Sequence, residues 1–188
     1  AANPLIITNG TFKLTAASTI APFTTGAGAT IPATGGIYVN GGTISAGSYT
    51  WSNGGTVTLA SGTLNVGIAS GNTFNNNGGT FTMSGGTMNV SGRFANTASG
   101  TATISGGTLT TCTVGLSNAT NASFDLIGNT NFTMTNGTVI FQNANAGAGG
   151  DLKITTGAGT KTFSGGTFQF GNASTPASTT FSYSGTPS

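Results

Sequence analysis

Residues 78–90 read GGTFTMSGGTMNV. The phrase Gly-Gly-Thr-apolar-polar-apolar occurs twice in this stretch, seven residues apart, with no charged side chain in it. The same step runs outward in both directions. Thr73, Thr80 and Thr87 are seven apart, as are Thr56 and Thr63, Thr101 and Thr108, and Thr160 and Thr167; Gly36 stands seven before Thr43, and Ser123 and Thr130 keep the spacing with weaker chemistry. A longer step is superimposed. Thr56 to Thr80 is 24 residues, Thr80 to Thr101 is 21, and Thr101 to Ser123 and Thr108 to Thr130 are each 22. Self-similarity at a fixed period of this size is the signature of a repeat architecture. The register fades in QNANAGAGG, which reads as a longer turn or an inserted loop.

Each seven-residue phrase reads as a short strand and a bend. Side chains alternate along a strand, so Phe81 and Met83 share one side and Thr80 and Thr82 the other. The same parity pairs Val57 with Leu59, Ala102 with Ile104, and Leu64 with Val66. Glycine supplies the bend because it takes positive φ without steric cost. An antiparallel sandwich suits short strands and regular turns, but it has no reason to hold a period across three segments. The spacing predicts an all-β parallel β-helix (β-solenoid) with three short strands per coil of about 21–24 residues. Thr63, Thr87 and Thr108 then form an outer ladder, Leu64, Met88 and Leu109 an inner one, and Asn65 falls over Asn89. Residues 1–34 fit the pattern poorly and read as an irregular, capping or strand-exchange segment; residues 35–188 read as the solenoid domain.

Composition narrows the function. Among 188 residues there are 33 glycines and only six charged side chains: Lys13, Arg93, Asp125, Asp151, Lys153 and Lys161. Disordered chains are rich in charge and poor in β-branched and aromatic residues, the reverse of this one. Paired glycines and scarce proline exclude collagen. Four scattered cations form no patch for phosphates, so no nucleic-acid partner is expected. No apolar run approaches the ~20 residues of a spanning helix, so no membrane span is expected. The chain begins Ala-Ala-Asn rather than with methionine, which points to processing of a secreted precursor. The one cysteine, Cys112, builds no intrachain disulfide and reads as a buried structural thiol.

Chemistry is sparse. Asp125 and Asp151 are the only carboxylates and lie in dissimilar contexts, FDLIG and GGDLKI, so they read as isolated surface charges rather than a glycosidase pair. Lys153 and Lys161 read as outward strand residues. Without histidine there is no ordinary base for a Ser or Cys nucleophile, and no ligand set for a metal. The expectation is a protein that is not an enzyme and needs no cofactor or metal.

SGGTMNV, SGGTLTT, SGGTFQF and NGGTVTLASGTLNV resemble the strand repeats of bacterial autotransporter passengers and related large surface adhesins, over roughly residues 35–170. The resemblance implies a secreted right-handed β-solenoid at the cell surface, in structural or adhesive use, with surface glycans or other cells as adhesive partners. It implies no catalytic residues.

Two surfaces stand out. A solenoid has open ends, which natural proteins blunt with charge, proline or a cap, and this chain has little of any. Leu5, Ile6 and Ile7 near the start and Phe181 and Tyr183 near the end are the candidate assembly residues, with the protein itself as partner: copies joined head to tail, or by exchanged strands, into an extracellular filament. The nearer alternative is a segment of a bacterial adhesin. The other surface is the outward Thr-x-Thr array, Thr56/Thr58, Thr80/Thr82 and Thr101/Thr103. Threonine simply suits an exposed strand, but flat arrays of this kind resemble the ice-binding surfaces of some antifreeze proteins, which makes ice binding the more distant alternative.

Overall fold

The computed structural model describes residues 5–21, 28–47, 49–185 of the chain. The first of its two sheets has ten strands: β1 (Gly10–Leu14), β2 (Thr19–Ile20), β4 (Gly35–Ala46), β6 (Thr56–Val66), β8 (Thr80–Met83), β9 (Thr87–Val90), β11 (Thr101–Thr111), β13 (Asn131–Phe141), β15 (Lys161–Phe163) and β16 (Thr167–Phe170). The second has seven: β3 (Ala29–Ile31), β5 (Trp51–Asn53), β7 (Thr73–Asn77), β10 (Arg93–Thr97), β12 (Phe124–Leu126), β14 (Leu152–Ile154) and β17 (Tyr183–Gly185). The described residues form no helix, and the pairings between these strands are parallel. Parallel neighbours need a crossover; here each crossover is a strand of the other sheet, because the chain alternates between the two.

The Ser-Gly-Gly and Asn-Gly-Gly phrases bend the strands of the first sheet. Where β4 pairs β6 and where β11 pairs β13, the register shifts at these residues; elsewhere the bend separates β8 from β9 and β15 from β16. The glycine directly before the threonine in each bend is in the left-handed region, with φ 82° at Gly62, 73° at Gly86 and 81° at Gly107. These glycines also lie against one another. A Cβ on Gly86 would stand 2.6 Å from the Gly62 carbonyl oxygen, and one on Gly107 would stand 2.6 Å from that of Gly86. Both the conformation and the close approach demand glycine, which explains why the repeated phrase keeps it.

Like residues lie over like residues. Thr63 pairs with Thr87 and Thr87 with Thr108; Leu64, Met88 and Leu109 follow one position on. Inward columns such as Val39, Leu59, Met83, Ile104 and Met134 are buried, as are Trp51, Phe74, Phe94 and Phe124 on the second sheet. The Phe74, Phe94 and Phe124 rings stack face to face, with centroids 5.5 Å and 5.0 Å apart. Fully burying each such side chain contributes about 1.5–3 kcal/mol, so a column two residues wide suffices as a core despite the low apolar fraction.

Two expectations are corrected. The step from β11 to β13 is longer than 22 residues: Thr101 pairs with Asn131 and Thr108 with Thr138, not with Ser123 and Thr130. Ser123 is instead buried beside the second sheet, where its hydroxyl donates to Asp151 Oδ1, and buried Thr130 donates to the Ile127 carbonyl in a turn. The cause is a loop after Cys112 that lengthens the circuit. It is matched by the loop of the next circuit, QNANAGAGG, which stacks on it: Asn145 Nδ2 donates to the carbonyls of Asn118 and Asn121, and Asn118 N donates to Asn145 Oδ1. The register is therefore carried through this stretch rather than lost. The N-terminal residues Gly10–Leu14 and Thr19–Ile20 also pair in parallel with β4, Gly10 opposite Gly35 and Thr19 opposite Thr43.

Candidate functional site

The outward Thr-x-Thr positions form two columns on the first sheet. Thr56, Thr80 and Thr101 pair in succession, followed by Asn131. Thr58, Thr82, Thr103, Thr133 and Thr162 form a second, unbroken column. Sequence reading placed the first three rows in register and noted Thr160/Thr162 as a further Thr-x-Thr pair outside it; Thr133 escaped because the longer loop moved it off the expected step, and through it Thr162 joins the column. Beyond Thr58 the second column continues to Tyr38 and Lys13, whose ammonium lies 5.9 Å from the Tyr38 ring centroid. A third column, Thr19, Thr43, Thr63, Thr87, Thr108, Thr138 and Thr167, runs the length of the sheet beyond the glycine bend.

The candidate assembly residues lie at opposite ends. Leu5 and Ile7 pack partly against the core before β1, the first strand in the order of its sheet, while Ile6 is 76% exposed. Tyr183 sits in β17, at the far end of the second sheet, and is 64% exposed; Phe181 is half-buried with its ring centroid 5.6 Å from that of Phe170. Three further aromatics, which sequence reading did not single out, share that end. Phe163 and Phe170 are exposed, and Phe168 is partly buried, in strands β15 and β16 with one side of their ladder unpaired among the described strands.

The charged residues are placed differently from expectation. Asp125 and Asp151 are buried, not surface charges. Asp125 is ion-paired with Arg93 at 2.9 Å, and its Oδ1 and the Arg93 Nε have no hydrogen-bond partner. Asp151 accepts from the backbone amides of Asn145 and Ser182 at 2.6 Å and 2.8 Å, closing the base of the stacked loops. Each carboxylate is thus committed to holding the fold. Lys161 is not outward: it pairs with Phe132 in an inward column, and its ammonium donates to the carbonyls of Ile127, Gly128 and Gly159. Burial lowers its pKa from the usual value. Lys153 donates to the Thr120 carbonyl. Cys112 follows β11 with φ 56° and is buried; desolvation, against a bond from Ser123, pushes its thiol up to about 11. A thiol held protonated is a poor nucleophile.

Inside the molecule sequence reading missed a second ladder. Asn53 Nδ2 donates to Asn76 Oδ1 at 2.7 Å, and Asn76 Nδ2 donates to Asn96 Oδ1 at 2.8 Å, all three buried at the corner before each Thr-x-Thr strand. The expected outer ladder is present on the first sheet, with Asn89 Nδ2 donating to Asn65 Oδ1 at 2.9 Å. Among the described residues no three His, Cys, Asp or Glu side chains are grouped, and no helix is long and apolar enough to cross a membrane. Comparison with protein-family models, with curated proteins and with solved structures gave no match.

Proposed function

We propose that the chain is a parallel β-helix with three short strands per coil, serving as a subunit of an extracellular, self-assembling surface fibre. The observation that carries this reading is the complementarity of its two ends. Following the strand register along the first sheet places Leu14 in the same inward column as Phe163, and Ile20 in the same column as Phe168. Seated on the free edge of β15 and β16, the first circuit of a second copy lays Leu14 over Phe163, Ile20 over Phe168 and Thr19 over Thr167. At these three positions apolar residues meet apolar ones and threonine meets threonine, while Phe12 comes over Lys161 and Lys13 over Thr162, and the unpaired backbone groups of the edge gain partners. An edge of this kind is a template for another chain, and a contact between unlike ends does not close. Lys161 keeps its three acceptors in this arrangement, because all belong to its own chain.

The test is negative-stain electron microscopy of the purified chain over a range of concentrations, with light scattering. Filaments that lengthen with concentration support the reading. Short rods at every concentration contradict it and leave a segment of a longer adhesin as the better assignment.

A further inference from the structure

The geometry points to the Thr-x-Thr columns of the first sheet as an ice-binding face. Four observations converge. First, the array is a lattice. Parallel neighbours are about 4.7–4.9 Å apart, and alternate residues along a strand roughly 6.4–6.8 Å apart, so Thr56/Thr58, Thr80/Thr82 and Thr101/Thr103 define a rectangular grid extended by Thr133 and Thr162. Oxygen positions on the prism face of hexagonal ice repeat on a grid of similar proportions.

Second, the hydroxyls are available. Elsewhere on the outer surface polar side chains satisfy one another between strands: Asn65 with Ser45 and Asn89, Thr97 with Asn75, Ser61 with Asn40. The eight threonines of the two columns make no such side-chain bonds. Their hydroxyls are left to water.

Third, the face matches ice in charge. Ice excludes ions, and no ionised side chain occurs in either column from β6 to β15. Lys13 lies beyond Tyr38, and Lys161 turns its ammonium inward to three carbonyls. Fourth, the grid is held by a buried scaffold. Asn76 Nδ2 donates to the Thr101 carbonyl and Asn53 Nδ2 to that of Thr80, which anchors the strand starts from inside. A rigid array holds water positions at little further ordering cost, as preorganised surfaces do.

Thermal hysteresis and incorporation into a growing ice hemisphere test this with the unmodified chain, alongside the variants Thr82→Tyr and Thr103→Tyr and the control Ser52→Tyr on the outward side of the second sheet. The expected result is hysteresis with faceted crystals, lost in both threonine variants and kept in the control. Thr162→Tyr, at the exposed last row, is the second variant should Thr82→Tyr impair folding by circular dichroism, and it is expected to weaken the hysteresis. Absence of hysteresis with exclusion from ice overturns the proposal, as does equal activity in the wild-type chain and the threonine variants. Adsorption to a crystalline polysaccharide without any effect on ice also overturns it, by giving the face another occupant. Thr82 and Thr103 lie in interior strands of the sheet, so their variants are read independently of filament formation; Thr162, on the edge strand β15, is compared with wild type at equal assembly state by light scattering.

Discussion

Asn76 reaches its neighbours in both directions: its Nδ2 donates to Asn96 Oδ1 at 2.8 Å while its Oδ1 accepts from Asn53 at 2.7 Å. It also donates to the carbonyls of Gly79 and Thr101. One side chain therefore ties three successive circuits at a buried corner. Asn76→Leu leaves several of these groups without partners, at on the order of 1–3 kcal/mol for each buried orphan. The urea midpoint of Asn76→Leu is expected to fall well below that of Asn75→Leu, whose position is on the outside of the same strand.

The glycine bends separate conformational strain from steric exclusion. Gly71 has φ 80° with open space where a Cβ would be, whereas Gly86 has φ 73° and a carbonyl oxygen 2.6 Å from that position. Gly71→Ala should cost about 1–2 kcal/mol, the penalty of the left-handed conformation alone. Gly86→Ala should cost distinctly more, because the Gly62 strand must move. Thermal unfolding of the two variants checks the order.

Arg93 and Asp125 form the one ion pair among the described residues, with the carboxylate fully buried. Removing only one partner strands a charge, which costs about 3–5 kcal/mol. Arg93→Met is expected to show a loss of that order by chemical denaturation. Adding Asp125→Asn should recover much of it, and a double variant no better than the single one would argue against the pair as the cause.

Cys112 sets a stability change at high pH. Its thiol titrates near pH 11 in the folded chain against 9.0 when unperturbed, so the folded state holds the proton longer. The stabilising contribution is therefore complete below pH 9 and lost as pH rises to about 11. Lys161, lowered by burial, works in the opposite sense in its own range. The comparison to make is wild type against Cys112→Ala at each pH, which cancels the lysine. The wild-type advantage should shrink between pH 9 and 11, and native Cys112 should resist alkylation at pH 9.

The parallel strands and the inner and outer columns were legible in GGTFTMSGGTMNV because the two-residue alternation and the glycine bends leave little choice. Register beyond Thr108 was not. ASFDLIGNT imitates the seven-residue step, while the true continuation, NFTMTNGTV, opens with Asn131 in place of threonine. The burial of Asp125 and Asp151 was hidden because their partners, Arg93 and the amides of Asn145 and Ser182, come from other circuits or across a loop. The Asn53–Asn76–Asn96 ladder was disguised as turn chemistry, since each asparagine stands a few residues before a buried glycine at the corner: Gly55, Gly79 and Gly100. Its recurrence just upstream of Thr56, Thr80 and Thr101 was the available signal.

The stacking of one copy on another is tested most directly by cysteine pairs. Neighbouring parallel strands bring paired Cα atoms within the roughly 4.4–6.8 Å that a disulfide spans. Thr87→Cys with Thr108→Cys, which pair within the chain, should cross-link intramolecularly and serves as the reference. Thr19→Cys with Thr167→Cys, at opposite ends of the same column, should on mild oxidation give a ladder of head-to-tail oligomers on a non-reducing gel. A clean reference cross-link with only monomer from the Thr19/Thr167 pair would contradict assembly through the ends.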